Sequence, residues 1–198
     1  MIYNKLSASE KLDIDCATDI LRKGGIILYP TDTVWGLGCD ATNEKAVTKI
    51  FQIKQRPDAK ALITLMSGTD MLQQYIDSIP EVAIELTELA TTPITVIYDN
   101  ALPPIARNLM AEDGSMAVRV PSGSNFCMAL CEKFRKPIVS TSANISGSPT
   151  PRTFKEISEA IISSADYVCQ TARHDDTPHK PSSIIKIHSD GRFKIIRK

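Results

Sequence analysis

The chain has 198 residues, 42% of them hydrophobic, and its 23 Lys and Arg balance 23 Asp and Glu. That length suits one ordinary domain, 1–198, and the apolar share excludes wholesale disorder. A formal net charge of zero argues against a protein that grips nucleic acid through a globally positive surface, yet leaves room for a local anion site.

In chain order, Ile14, Ala17, Ile20 and Leu21 have helical spacing over residues 13–22, and Gly24-Gly25 stops that helix. Ile26 to Tyr29 reads as a buried strand closed by Pro30, and Val34 to Gly38 as a second extended piece. Ala46, Val47, Ile50 and Phe51 predict an amphipathic helix over 43–54, ended by Pro57. Ala61 to Met66 is a predicted strand, Met71 to Ile76 and Glu81 to Leu89 are predicted helices, and Ile94 to Tyr98 is a β-branched strand. Ala117 to Val120 is a strand, Asn125 to Phe134 a helix, and Ile138 to Ser140 a short strand. Thr153 to Glu156 has the capping-box pattern and predicts a helix running to about Ile162. Tyr167-Val168, Ile184 to Ile187 and Phe193 to Ile196 are late strands. Interleaving without strict alternation predicts an α/β (α+β mixed) fold, with helices on the faces of a mixed sheet.

No apolar run reaches the ~20 residues of a membrane span, and Met1 to Glu10 lacks the apolar core of a signal peptide. The five cysteines are odd in number and have no framework spacing, so reduced thiols and a cytoplasmic protein are expected. Cys127 and Cys131 share a helix face and read as small buried hydrophobes. His174, His179 and His188 have no metal-ligand spacing with the cysteines, and no protein metal site is expected.

The zero sum hides charge blocks. Lys45, Lys49, Lys54, Arg56 and Lys60 form one basic block, and the segment from Arg173 to Lys198 another. Between Ala61 and Ala106 there are acids and no Lys or Arg. Each motif has a plain reading alone. Gly36 to Ala41 fits G-x-G-x-x-A, but the polar insertion Thr31-Asp32-Thr33 and the lack of a second βαβ unit favour close backbone packing over a dinucleotide site. Lys54-Gln55-Arg56-Pro57 aims two cations from a helix end, suited to phosphate or carboxylate. Ser140 to Gly147 is a hydroxyl-rich turn that can point donors at an anion.

Together these pieces carry a resemblance. Tyr29-Pro30-Thr31-Asp32-Thr33-Val34-Trp35-Gly36-Leu37-Gly38, then Lys49-Ile50-Phe51 leading to Lys54-x-Arg56-Pro57, resembles the YrdC-like family of threonylcarbamoyl-AMP synthases. Ala117 to Pro121, Ser142 to Gly147 and Pro181 to Ile185 resemble its later signatures in order and spacing. The resemblance implies an open, twisted mixed sheet flanked by helices, of the YrdC/RibB-like kind. It implies a nucleotidyltransferase joining L-threonine, bicarbonate and ATP into threonylcarbamoyl-adenylate, with Mg²⁺ arriving with ATP. A separate threonylcarbamoyl-transferase complex would then modify adenosine 37 of tRNA.

By the same resemblance, Lys54, Arg56, Ser142 and Asn144 are expected at the carbonate and phosphate groups. Thr33, Arg119, Ser140 and Ser183 are expected to hold threonine. Arg56, Lys60, Ser115, Ser142, Thr150 and Arg197 are expected to contact ATP. One departure stands out: Leu65 occupies the position of an expected threonine-contacting His. That departure and the basic blocks motivate an alternative: a double-stranded-RNA-binding or ribosome-associated protein on the same scaffold. Any tRNA contact is expected to be local and weak.

Overall fold

A computed structural model describes residues 2–55 and 62–198. Among them, nine strands join one mixed sheet: β1 (Ile27–Tyr29), β2 (Gly36–Asp40), β3 (Ile63–Leu65), β4 (Ile94–Tyr98), β5 (Met116–Arg119), β6 (Ile138–Ser142), β7 (Tyr167–Val168), β8 (Ser183–Ile187) and β9 (Phe193–Arg197). Their spatial order is β7-β1-β2-β6-β3-β5-β4-β8-β9. β1/β7, β3/β5 and β4/β8 pair in parallel, and the other neighbours are antiparallel. The helices are α1 (Ala8–Arg22), α2 (Glu44–Lys54), α3 (Thr69–Tyr75), α4 (Glu81–Leu89), α5 (Asn125–Phe134) and α6 (Glu159–Ile162). The expected mixed sheet with flanking helices is therefore present. No helix among the described residues is long and apolar enough to cross a membrane.

The two faces of the sheet have separate cores because strand side chains alternate. Leu28, Leu37, Cys39, Val118 and Val139 pack on one face with α2 and the segments that follow it. Ile27, Tyr29, Leu65 and Ile138 pack on the other with Ile14, Ala17 and Leu21 of α1 and Phe126, Leu130 and Phe134 of α5. α1 begins earlier than its apolar spacing predicts because Ser7 and Glu10 form a reciprocal capping box. All five cysteines are free, and Cys127 and Cys131 are buried in the second core.

The predicted helix from Thr153 to Ile162 is corrected. The segment is a 3-10 turn, Phe154–Glu156, followed by the one-turn α6. The Glu156 carboxylate accepts from the Arg152 amide at 2.7 Å, and Thr153 supplies no side-chain cap. The Phe154 ring instead lies 4.8 Å from that of Trp35. Tertiary packing of this aromatic pair replaces the local cap.

Gly36 and Gly38 lie within β2, where the backbone needs room. A Cβ on Gly38 would sit 2.8 Å from Tyr29 Cε1 and 2.9 Å from the Val139 carbonyl oxygen. Ring and backbone both resist displacement, so Gly38→Ala should cost about 1–3 kcal/mol, read as a lower denaturation midpoint.

Candidate active site

Register fixes which residues share the site face. Ser142 pairs with Gly36, Ser140 with Gly38 and Ile63, and Leu65 with both Ile138 and Arg119. Arg119, Ser140 and Ser142 therefore emerge on the α1/α5 face, and the glycines keep the surface opposite them low. Leu65, where a polar side chain was expected, is fully buried in the core beneath α1 and α5.

Lys54 ends α2 and is buried. Its Nζ donates to the carbonyl oxygens of Ser142 at 2.6 Å and Asn144 at 2.7 Å, and to Asn144 Oδ1 at 3.1 Å. Ser142 Oγ donates to the same Asn144 Oδ1 at 2.5 Å, while Asn144 Nδ2 donates to the Ser148 carbonyl at 2.7 Å. The Lys54 carbonyl in turn accepts from the Ser146 amide at 3.0 Å. The helix end and the turn after β6 thus clamp one another through buried, charge-assisted bonds. The expected grouping of Lys54, Ser142 and Asn144 is present. Arg56 and Lys60 lie outside the described residues.

Arg119 places Nη2 3.0 Å from Asp32 Oδ1, and the two side chains are 4% and 0% exposed. Among the described residues, Arg119 Nε and both Asp32 oxygens have no hydrogen-bond partner, so the contact is an ion pair without directed hydrogen bonding. Arg197 donates Nε and Nη2 to the Ser182 carbonyl, at 3.0 and 2.7 Å. Burial, and then the charge of Arg119, pull the Arg197 guanidinium below its ordinary pKa.

Arg119, Ser142 and Arg197 line a central hollow that shares wall residues with two others, whereas Lys54 and Asn144 line none of the three. The central one, of about 40 Å³, is walled by Thr33, Arg119, Ser140, Ser142, Ser182 and Arg197, among others. Thr33 also lines a polar hollow of about 330 Å³, with Thr31, Asp32, Trp35, Arg152 and residues of the 171–179 segment. Arg197 also lines a hollow of about 470 Å³ with apolar walls from Leu62, Leu109, Met116, Ile184 and Ile196. There Ser115 donates Oγ to Asp113 at 2.6 Å, and Asp113 accepts from Lys186 at 2.9 Å. The Ser115 and Lys186 bonds hold the Asp113 carboxyl well below the usual carboxylate range.

Of the expected site residues, Thr33, Arg119, Ser140 and Ser142 line the central hollow, Ser115 the apolar-walled one, and Arg197 both. Ser183 does not line them. It begins β8, and neighbouring residues of extended chain face opposite ways, so Ser182 faces in instead, with Oγ 2.7 Å from Thr95 Oγ1. Thr150, half-buried in the loop after β6, lines none of the three. Asp32 and Ser182 were missed. Asp32 lay in the Tyr29–Gly38 motif but was given no role of its own, and Ser182 was legible from strand alternation counted back from Ile184.

A family model named Sua5_yciO_yrdC and described as "Telomere recombination" matches residues 19–198. The chain belongs to the Sua5/YciO/YrdC family. It is 38% identical over 160 residues to a threonylcarbamoyl-AMP synthase from Xanthomonas campestris pv. campestris, covering 79% of this chain and 84% of that one. It is 38% identical over 144 residues to one from Enterobacter sp., covering 71% and 75%. Among solved structures, Escherichia coli YciO aligns with TM-score 0.80 at 28% identity, covering 96% of this chain and 89% of that one. Pyrococcus abyssi Sua5 complexed with L-threonine aligns with TM-score 0.77 at 28% identity, covering 88% of this chain and 50% of that one. The chain spans about half the length of that Sua5 protein.

Two measurements check how the site is held. Lys54→Met would strand three acceptors, so stability should fall by about 3 kcal/mol, while Lys54→Arg should recover part of it. The second concerns the segment walling the polar hollow. Asp13 accepts from the Tyr167 hydroxyl and the Thr171 amide, each at 2.6 Å. Burial pushes the Asp13 carboxyl up, but the bonds from Thr171 and Tyr167 together outweigh it and hold it below its ordinary value. A folded-state pKa below the unfolded one stabilises above the unfolded value, and that contribution is lost as pH falls through the folded one. Chemical denaturation at a series of pH values should therefore show a shallower acid-side loss in Asp13→Asn than in the wild type.

Proposed function

We propose that this chain is an L-threonylcarbamoyladenylate synthase. The observation that carries the reading is the pair of hollows that share Arg197 as a wall residue, a small arginine- and hydroxyl-lined one and a large apolar-walled one. The relatives named as threonylcarbamoyl-AMP synthases, which the chain covers by three quarters or more, supply the substrate class.

Arg119 suits the carboxylate of L-threonine, with Thr33, Ser140 and Ser182 around the same hollow. The threonine amine attacks the carbon of bicarbonate, and loss of water leaves a carbamate. A carbamate oxygen then attacks the α-phosphorus of ATP. The bond to the β-phosphate bridging oxygen breaks, and pyrophosphate leaves with that electron pair. The product is a mixed carbamic–phosphoric anhydride, and the adenylyl transfer makes the enzyme a nucleotidyltransferase.

Such a reaction needs positioning and charge stabilisation more than a covalent nucleophile. Lys54 contributes by holding the Ser142–Asn144 turn and by its positive field. Arg197 stands between the amino-acid and nucleotide hollows, where charge passes from carbamate to phosphate. The apolar walls suit a nucleobase, and Ser115 and Lys186 provide polar contacts beside them. Mg²⁺ would enter as part of the nucleotide substrate and would offset phosphate charge there, with no dedicated protein cage needed. The product hydrolyses readily, so it must pass to an acceptor. In the family reading that acceptor is adenosine 37 of tRNA, served by a separate transferase complex.

A double-stranded-RNA-binding role without adenylate chemistry is not favoured. The matched relatives are named as synthases, and Lys54 and Arg119 are buried, away from an RNA backbone.

Purified protein given ATP, bicarbonate and L-threonine should release pyrophosphate only when threonine is present. Arg119→Ala should lower kcat/KM for threonine by about a hundredfold or more. Pyrophosphate release indifferent to threonine would overturn the assignment.

A further inference from the structure

The turn between β1 and β2 contains a hydrogen-bond array whose direction can be solved. Thr31 Oγ1 lies 2.8 Å from the Val34 carbonyl oxygen, 3.0 Å from the Thr33 amide nitrogen and 2.9 Å from Thr33 Oγ1. A carbonyl oxygen only accepts, so the single Thr31 hydroxyl proton goes to Val34. An amide N–H only donates, so it takes one lone pair of Thr31. In the remaining contact Thr31 has no proton to give, so the Thr33 hydroxyl donates to Thr31. Thr33 Oγ1 is then left with lone pairs alone for anything else that meets it. Thr33 is buried and lines both the central and the polar hollow.

We infer that Thr33 is a preset acceptor for the α-amino N–H of the bound amino acid, and that Thr31 is the positioning residue that presets it. This rests on the proposed reading that the site takes L-threonine. The guanidinium of Arg119, which can only donate, lines the same central hollow. A donor-only group and an acceptor-only group on one small hollow match the two ends of an α-amino acid, carboxylate and amine. The negative charge of Asp32, paired to Arg119, adds a field that favours an amine over a second anion. An N–H given to Thr33 also orients the nitrogen while leaving its lone pair, once the amine is deprotonated, for the carbonate carbon. The Thr31 methyl packs toward Gly36: a Cβ built there would lie 3.3 Å from Thr31 Cγ2. Valine at position 31 keeps that methyl and removes only the hydrogen-bonding atom.

Calorimetry with wild type, Thr31→Val and Thr31→Ser tests this, using three ligands. These are L-threonine, (R)-3-hydroxybutanoate, which lacks the amine, and L-2-aminobutanoate, which lacks the hydroxyl. The wild type should prefer threonine strongly over 3-hydroxybutanoate. In Thr31→Val that preference should fall by about tenfold, because Thr33 is free to turn its proton outward. Thr31→Ser should keep the wild-type preference, and ATP affinity should be the same in all three. A merely structural Thr31 would lower the melting temperature without moving the preference. Should Thr31→Val fail to fold, Thr31→Ala and Thr33→Val read the same acceptor. An unmoved preference, or one that shifts against 2-aminobutanoate instead, overturns the inference. Failure of the wild type to bind L-threonine at all overturns the functional reading beneath it.

Discussion

The buried ammonium of Lys54 is the constraint on which the rest of the site depends. An amine so enclosed is costly unless its N–H groups meet acceptors, and here backbone and amide oxygens of Ser142 and Asn144 provide them. That need fixes the last turn of α2 against the end of β6, two elements far apart in sequence. It also holds the Ser142–Asn144 turn, of which Ser142 lines the central hollow. Because protein oxygens already receive its protons, Lys54 influences a bound anion through its field and through the turn it holds.

The same logic shows how a chain with no net charge carries a cationic interior. Arg119 is buried against Asp32, while Arg197, on the exposed strand β9, is held by the Ser182 carbonyl and lowered in pKa by partial burial and then by the charge of Arg119. Arg119 has a carboxylate partner and Arg197 only a carbonyl, so an incoming carboxylate or phosphate is the natural complement. The compensating acids lie elsewhere. Asp70, Asp77, Glu81, Glu85 and Glu88 are exposed on or beside α3 and α4. Net charge describes the surface sum, whereas the chemistry depends on which charges are turned inward.

The elements with clean periodicity were legible to within a few residues: α2, α4 and α5, and the β-branched strands β4 and β8. What could not be read was set by partners distant in sequence. Thr153 to Glu156 has every local sign of a helix start, but Phe154 meets Trp35 and Glu156 turns to Arg152. Local propensity was overridden there by a contact more than a hundred residues away. Within the site, the motif residues Lys54, Arg119, Ser142 and Asn144 were legible because each motif carries its own turn or strand. A motif string does not say which of two adjacent serines faces inward, and here Ser182 rather than the expected Ser183 lines the central hollow. Asp32 was passed over because a carboxylate in a site for anions looks out of place until its guanidinium partner is seen.

Leu65 shows that such a substitution can be absorbed by the fold. Its register neighbour Arg119 is buried, and its own side chain fills the core between Ile138 and the helices. A polar side chain in that place would need a partner of its own beneath α5, while leucine needs none. Recognition of the amino acid then falls to groups on β5, β6 and the β1–β2 turn, all fixed by backbone pairing or by buried hydrogen bonds. If Thr33 and Arg119 hold the amino acid as proposed, Arg119 provides only donors and Thr33 only an acceptor, and specificity would then arise from the proton directions set by the fold. The direction at Thr33 is imposed by a single carbonyl, that of Val34, acting through the hydroxyl of Thr31.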